Sequence, residues 1–271
     1  MSQTLAIANQ KGGVGKTTTA VNLGAGLARQ GKRVLLVDLD AQANCTMSLG
    51  HQMPDEIPTT TATCLNRLMD DQPTQIDSAI LPHPEGFDLL PANIQLAATE
   101  VALQSTLNRE RILKEALAPL AGKYDYIIID CSPSLGLLTL NALTAADSVL
   151  IPVQAHFLSV KGLEMLTRTI GRVKRQINPN LSIEGILVTM LDARPTFTKS
   201  VVQLIRQQFG RNAPIFQTEI PQSVRAVESG AEGKSIFAHD PSGKVAAAYE
   251  AFTKEVLAHA QIQQRGEDTA R

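Results

Sequence analysis

The stretch "LAIANQKGGVGKTTTAVNLG", Leu5 to Gly24, restricts the fold more than any other part of the 271-residue chain. A short apolar run leads into a turn containing Gly12, Gly13 and Gly15, and a helix-period segment opens at Lys16. Glycines at such a turn allow close backbone approach to an anion, and the helix N-terminus behind them presents N–H groups to negative charge. Gly15-Lys16-Thr17 fit the end of the mononucleotide loop G-x-x-x-x-G-K-[ST], in which the lysine reaches the terminal phosphates and the hydroxyl serves magnesium. The glycine expected five residues before Gly15 is Gln10, and Lys11 follows it. The loop is therefore a variant with two lysines.

The rest of the chain repeats the strand-then-helix alternation. Strands are expected at Leu5–Asn9, Arg33–Asp40, Phe87–Ala92, Tyr126–Asp130, Ser148–Val153 and Gly185–Leu191, several of them apolar on both faces, as in a parallel sheet covered by helices. Helices are expected over 16–30, 93–105, 108–120, 136–145, 159–177, 199–209 and 242–260, and 51–62 reads as a surface loop. The expected architecture is α/β: a P-loop-type, mostly parallel twisted sheet with helices on both faces. It forms one domain over 1–260, followed by a polar, frayed tail over 261–271.

With 44% hydrophobic and 19% charged residues, the chain has ample material for a core. Cys45, Cys64 and Cys131 form no C-x-x-C pair, so neither zinc nor a disulfide framework is indicated, and reduced thiols in a cytoplasm fit best. Neither a secretory leader nor a membrane-spanning run is expected. The net charge of −1 hides an asymmetry: residues 1–150 carry 10 basic and 15 acidic side chains, residues 151–271 carry 15 and 11. Within 168–211, eight basic residues face two acids, a candidate anion-binding surface.

Nucleotides in such sheets sit at the carboxyl ends of the strands. Asp38 and Asp40 close the second expected strand and Asp130 closes the fourth, so all three should converge on the loop. Asp130 is placed to hold magnesium through water, and Asp38 and Asp40, two apart on one face, to share the polarising of water and the metal shell.

Together "KGGVGKTT", "VLLVDLDAQAN" and "YDYIIIDCSPSLG" resemble the deviant-Walker P-loop ATPases, specifically the ParA/Soj-type partition ATPases, and the resemblance extends to about Leu257. It implies ATP and Mg2+ as cofactors. The loop residues Lys11, Gly12, Gly13, Val14, Gly15, Lys16, Thr17 and Thr18 would bind the nucleotide, with Lys16 on the phosphate in cis and Thr17 on the metal. Asp40 would orient the hydrolytic water near the metal, Asp130 would be the second acidic metal residue, and Pro221 would line the base pocket. Lys11 would be the signature lysine that crosses a homodimer interface to the partner's nucleotide, which gives the second lysine its reason. The chain departs from the family's "DLDPQGN" at Ala41 and Ala43.

The resemblance leaves the output open among three readings. In the first, the ATP-bound dimer binds DNA nonspecifically through Arg194 and Arg225, which match the family's DNA-contacting arginines, and through Arg168, Arg172 and Arg175, which share a helix face at i, i+4 and i+7. The family's "PRNVR" stands here as "PQSVR", one arginine fewer. A ParB-like adaptor with a short basic peptide would stimulate hydrolysis and release the dimer from the nucleoid, serving plasmid or chromosome partition. In the second, the same engine positions a non-DNA cargo or cycles on membranes as MinD does, although the end "HAQIQQRGEDTAR" lacks the bulky apolar face of an interfacial helix. In the third, an iron–sulfur reductase, Cys131 would need a suitably spaced partner cysteine. With only eight residues before Asn9, no operator-reading domain is expected ahead of the loop.

Overall fold

The computed structural model describes residues 2–191, 195–211 and 213–269. Eight strands, β1 (Gln3–Ile7), β2 (Val34–Leu39), β3 (Leu81–Pro82), β4 (Asp88–Leu90), β5 (Tyr126–Cys131), β6 (Ser148–Gln154), β7 (Ser182–Leu191) and β8 (Ile215–Pro221), form one sheet in the order β3-β4-β2-β5-β1-β6-β7-β8. Every pairing is parallel except β3 with β4. β1 is central, and the chain leaves it toward one edge through β2 and later toward the other through β6. A crevice opens at such a switch point beyond the carboxyl ends of the strands.

Alternation along each strand assigns the two helical layers. Ala6, Val37, Ile129 and Ile151 pack with α3 (Thr61–Met69), α4 (Ile76–Ala79), α5 (Gln95–Leu103), α6 (Ile112–Leu117), α7 (Leu137–Ala145), α8 (Phe157–Gln176) and α9 (Pro195–Phe209). Leu5, Leu36, Ile128 and Leu150 pack on the opposite face with α1 (Lys16–Arg29), α2 (Asn44–Ser48), α11 (Ile236–His239) and α12 (Lys244–Thr269). α10 (Arg225–Ala231) packs on this second layer through Ala226. α1 lies so close to the sheet that a Cβ at Gly24 would come 2.8 Å from Leu36 Cδ2. This fixes where the helix presents its N-terminus.

The α/β reading holds, and all six strands expected from sequence are present with ends shifted by a few residues. β3 and β8 were not expected. β3 has only two residues, and β8, "IFQTEIP", is a sheet edge whose polar positions are exposed or half-buried, so it lacks the apolar signature of the buried strands. The supposed loop 51–62 contains a short 3-10 turn at Pro54–Glu56 and the first residues of α3, capped by reciprocal bonds between Thr60 and Thr63. α12 continues to Thr269, past the boundary at 260 read from sequence.

Candidate functional site

Asn9, buried just past β1, donates to Pro152 O on β6 (2.7 Å) and accepts from Lys11 N (2.9 Å), which starts the loop at a fixed height. Gly13 and Gly15 adopt φ of 70° and 81°, where a side chain would be strained. The loop's carbonyls turn inward: Lys16 Nζ donates to Lys11 O (3.3 Å), Gln154 Nε2 to Gly13 O (2.8 Å) and Thr189 Oγ1 to Val14 O (2.8 Å). The amides of Gly12 through Thr18 then meet no protein acceptor among the described residues. Convergent N–H groups at the head of a helix constitute a site for a phosphate chain.

Above the loop lies a cavity of about 880 Å³ lined by Gly12, Gly13, Gly15, Lys16, Thr17 and Thr18, with Asp40 and Asn44 after β2 and Pro133 after β5. Thr189 and Met190 of β7 and the segment Ile220–Val224, Pro221 included, form further parts of the wall. Thr19 and Tyr249 close the floor, their hydroxyls 3.3 Å apart. Another groove of about 810 Å³, between α3, α5 and α6, has no glycine loop and no basic residue in its lining. Chemistry rather than size picks the first.

The carboxylates separate into different jobs. Asp38, fully buried, accepts Thr46 N (2.9 Å), Thr46 Oγ1 (2.7 Å) and Asp40 N (3.2 Å). Burial pushes its pKa up to about 6 even so. With these bonds it shapes the turn that carries Asp40, so the expectation that Asp38 and Asp40 share the polarising of water is corrected: only Asp40 lines the cavity. Asp40 Oδ1 accepts Gln42 N at 3.0 Å.

Asp130 is the opposite case. Thr17 Oγ1 donates to its Oδ2 (2.7 Å), while Oδ1 is buried with no partner. Burial first, and then the neighbouring Asp38 carboxylate, raise its pKa to about 8. A buried, unsatisfied carboxylate oxygen beside a hydroxyl suits a hydrated cation. Magnesium keeps waters and phosphate oxygens and takes few protein ligands, so one carboxylate and one hydroxyl are a fitting protein share. Lys16 is buried, and desolvation lowers its pKa against the pull of Asp130, Cys131 and Asp40. An incoming phosphate would restore its charge balance.

The basic residues divide by position. Arg225, exposed at the start of α10, pairs with Glu228 at 3.1 Å, on the cavity side of the sheet. Arg168, Arg172 and Arg175 are exposed on α8, which starts beyond the carboxyl end of β6 and returns to the amino end of β7. Eighteen residues of helix separate its first residue from Arg175, about 27 Å. The structure therefore does not bring Arg172 and Arg175 to the end that holds Arg225. Arg194 lies outside the described residues.

Sequence reasoning missed Gln154, Thr189 and Met190, which come from β6 and β7 and hold the loop from beneath. The available signal was a polar residue closing an apolar strand, "LIPVQ". Met190 has a φ of 51°, a strained backbone at the cavity wall of the kind that collects at functional sites.

These features define a P-loop nucleotide-binding protein of the α/β class. A family model described as an AAA domain matches residues 2–183. The chain is 46% identical over 259 residues to the sporulation initiation inhibitor protein Soj of Bacillus subtilis, covering 96% of this chain and 100% of that one. It is also 46% identical over 256 residues to the chromosome partitioning protein ParA of Myxococcus xanthus, covering 93% and 87%. Among solved structures, a Mycobacterium smegmatis protein titled cobyrinic acid a,c-diamide synthase, with bound ADP and magnesium, superposes with a TM-score of 0.84 at 41% identity, covering 96% of both chains. An ATP complex of McdA from Cyanothece gives 0.81 at 25% identity, covering 95% of this chain and 96% of that one. The chain belongs to the ParA/Soj family of P-loop ATPases.

Proposed function

We propose that this chain binds Mg-ATP, dimerises face to face around the nucleotide, holds DNA nonspecifically in that state, and is released when a ParB-like adaptor stimulates hydrolysis. Its task is partition of a plasmid or chromosome, and its place is the cytoplasm, on the nucleoid. The observation that carries the reading is the division of labour between the two lysines. Lys16 is buried and committed to its own loop through Lys11 O, whereas Lys11 stands half-buried beside the exposed Gly12 and Gly13. A cation on an open rim is available to a second subunit. Stabilising phosphoryl-transfer charge with a cation supplied in trans is the logic of an arginine finger.

Within one subunit the donors of Gly12–Thr18 and the Lys16 ammonium hold the phosphates. Thr17 and Asp130 would hold magnesium, which supplies charge neutralisation across the phosphate oxygens when bound. Asp40 orients the attacking water from the cavity wall. Val224 and Val227, exposed at 72% and 73%, rim the same opening and give a second subunit apolar surface to cover.

Lys11→Ala should preserve nucleotide binding by the monomer and abolish ATP-dependent dimers in light scattering; dimers of wild-type strength would refute the proposal. For the output, DNA retention should require ATP, fail with ADP, weaken as salt rises, and be lost in Arg225→Glu. DNA indifference to nucleotide and salt would favour a cargo other than DNA. No helix among the described residues is long and apolar enough to cross a membrane.

A further inference from the structure

Lys11 is tethered to β6 at both of its ends. Its backbone N–H is held by Asn9, whose own amide is anchored on Pro152 O, and its ammonium donates to Gln154 Oε1 at 3.4 Å. Gln154 is itself fixed: its Nε2 donates to Gly13 O (2.8 Å) and to Met190 Sδ (2.9 Å). A carbonyl on one side and an ammonium on the other leave the amide a single sensible orientation. No carboxylate pairs with Lys11 among the described residues. The cation at the rim of the site is thus parked on a neutral acceptor belonging to its own subunit.

We propose that Gln154 is a latch for Lys11: a positioning residue that holds this side chain against β6 in the lone subunit and must release it before dimerisation. The inference rests on the reading that Lys11 acts across the interface. A neutral acceptor suits the task because its single long bond to an ammonium is weak beside the attraction of a triphosphate. A glutamate there would hold Lys11 as an ion pair, and an alanine would hold nothing. The same amide supports Gly13, so loop geometry and lysine release depend on one side chain. Nucleotide entering the loop and a lysine leaving for the partner are thereby linked.

The test compares wild type, Gln154→Glu, Gln154→Ala and Lys11→Ala, with two readouts. In the nucleotide-free protein, reductive methylation of Lys11 followed by mass spectrometry reports how free its amine is. Relative to other lysines, labelling should quicken about two- to threefold in Gln154→Ala and slow about three- to fivefold in Gln154→Glu, the size of a part-exposed ion pair. At saturating non-hydrolysable ATP analogue, the protein concentration for half-dimerisation should move in opposite directions by similar factors, down in Gln154→Ala and up in Gln154→Glu. A purely structural role would move both variants the same way, and that result, or no movement in either, overturns the latch. If Gln154→Ala disturbs the loop enough to lose nucleotide, the labelling of its Lys11 still decides. Lys11→Ala separates the two ideas. Loss of its dimers with both Gln154 variants unchanged sinks the latch alone, whereas wild-type dimers in Lys11→Ala sink the trans lysine on which it rests.

Discussion

Asp38 and Asp130 are register partners on β2 and β5, both buried, yet what each oxygen meets gives them different work. Thr46 satisfies Asp38 with two donors, and the same hydroxyl accepts Ala92 N at 2.9 Å. Thr46→Val keeps the volume and strips that hydroxyl, leaving a carboxylate one bond short and an amide orphaned. The expected loss is about 1–3 kcal/mol of stability, read as a lower urea midpoint with an unchanged slope; an unmoved midpoint would mean that Asp38 does not depend on Thr46. Asp130→Ala removes a partnerless buried oxygen together with the one bonded by Thr17, whose hydroxyl lies at the cavity where water can replace it, so the fold should lose little while magnesium ceases to strengthen ADP binding in calorimetric titration. A variant that still responds to magnesium would put the metal elsewhere. From the sequence, all three aspartates are legible as strand ends, but alternation alone treats Asp38 and Asp40 as equals. The deciding donor sits in a five-residue helix opening at Ala43, whose φ of 51° leaves no trace in composition.

At the scale of elements, the parts buried on both faces were readable and the edges were not. β2 and β5 carry their character in "VLLVDL" and "YIIIDC", whereas β8 buries only Phe216 and Ile220 and is held by bonds from elsewhere: Glu255 of α12 accepts Gln217 N (3.0 Å) and Thr218 N (2.9 Å). α12 also covers the amino end of β7, where Glu184 has no exposed side-chain surface. Ser148 Oγ donates to one of its oxygens (3.0 Å), while the other has no hydrogen bond, the ring of His259 standing 3.7 Å away and stacked on Phe216. Burial raises the pKa of Glu184 above that of an ordinary glutamate. Below the unfolded-state value both states are protonated and nothing is lost. As pH climbs through that value toward the raised folded one, the unfolded chain releases its proton first, and stability falls. Glu184→Gln should therefore stabilise the protein at pH 8 and do little at pH 4, measured as the shift in urea midpoint at each pH. A gain independent of pH would show that packing, not charge, is at issue.

For the whole molecule, the consequence of parallel strands is that every functional loop leaves the same end of the sheet. The glycine loop follows β1, Asp40 follows β2, Ile94 follows β4, Pro133 follows β5, and Val224 and Val227 follow β8. Ile94 is 55% exposed at this end, outside the cavity lining, and its N–H is held by Asp55 Oδ1 at 3.1 Å. In a twofold assembly closing over this end, each subunit offers the same patch, so one substitution acts twice. Ile94→Glu keeps the backbone bond and touches no nucleotide-lining residue, but it adds a charge to each face and removes apolar surface from both. The concentration for half-dimerisation with a non-hydrolysable ATP analogue should rise at least about tenfold, or ~1.4 kcal/mol, while the nucleotide affinity of the monomer stays as it was. On the proposed reading DNA retention should fall in parallel, because a dimer sums weak phosphate contacts that one subunit alone would make too few of. Scattering and filter retention on the same preparation decide it: dimerisation unaffected by Ile94→Glu would place the interface away from the carboxyl end of the sheet, and DNA retention unaffected by weakened dimers would mean that a single subunit binds DNA unaided.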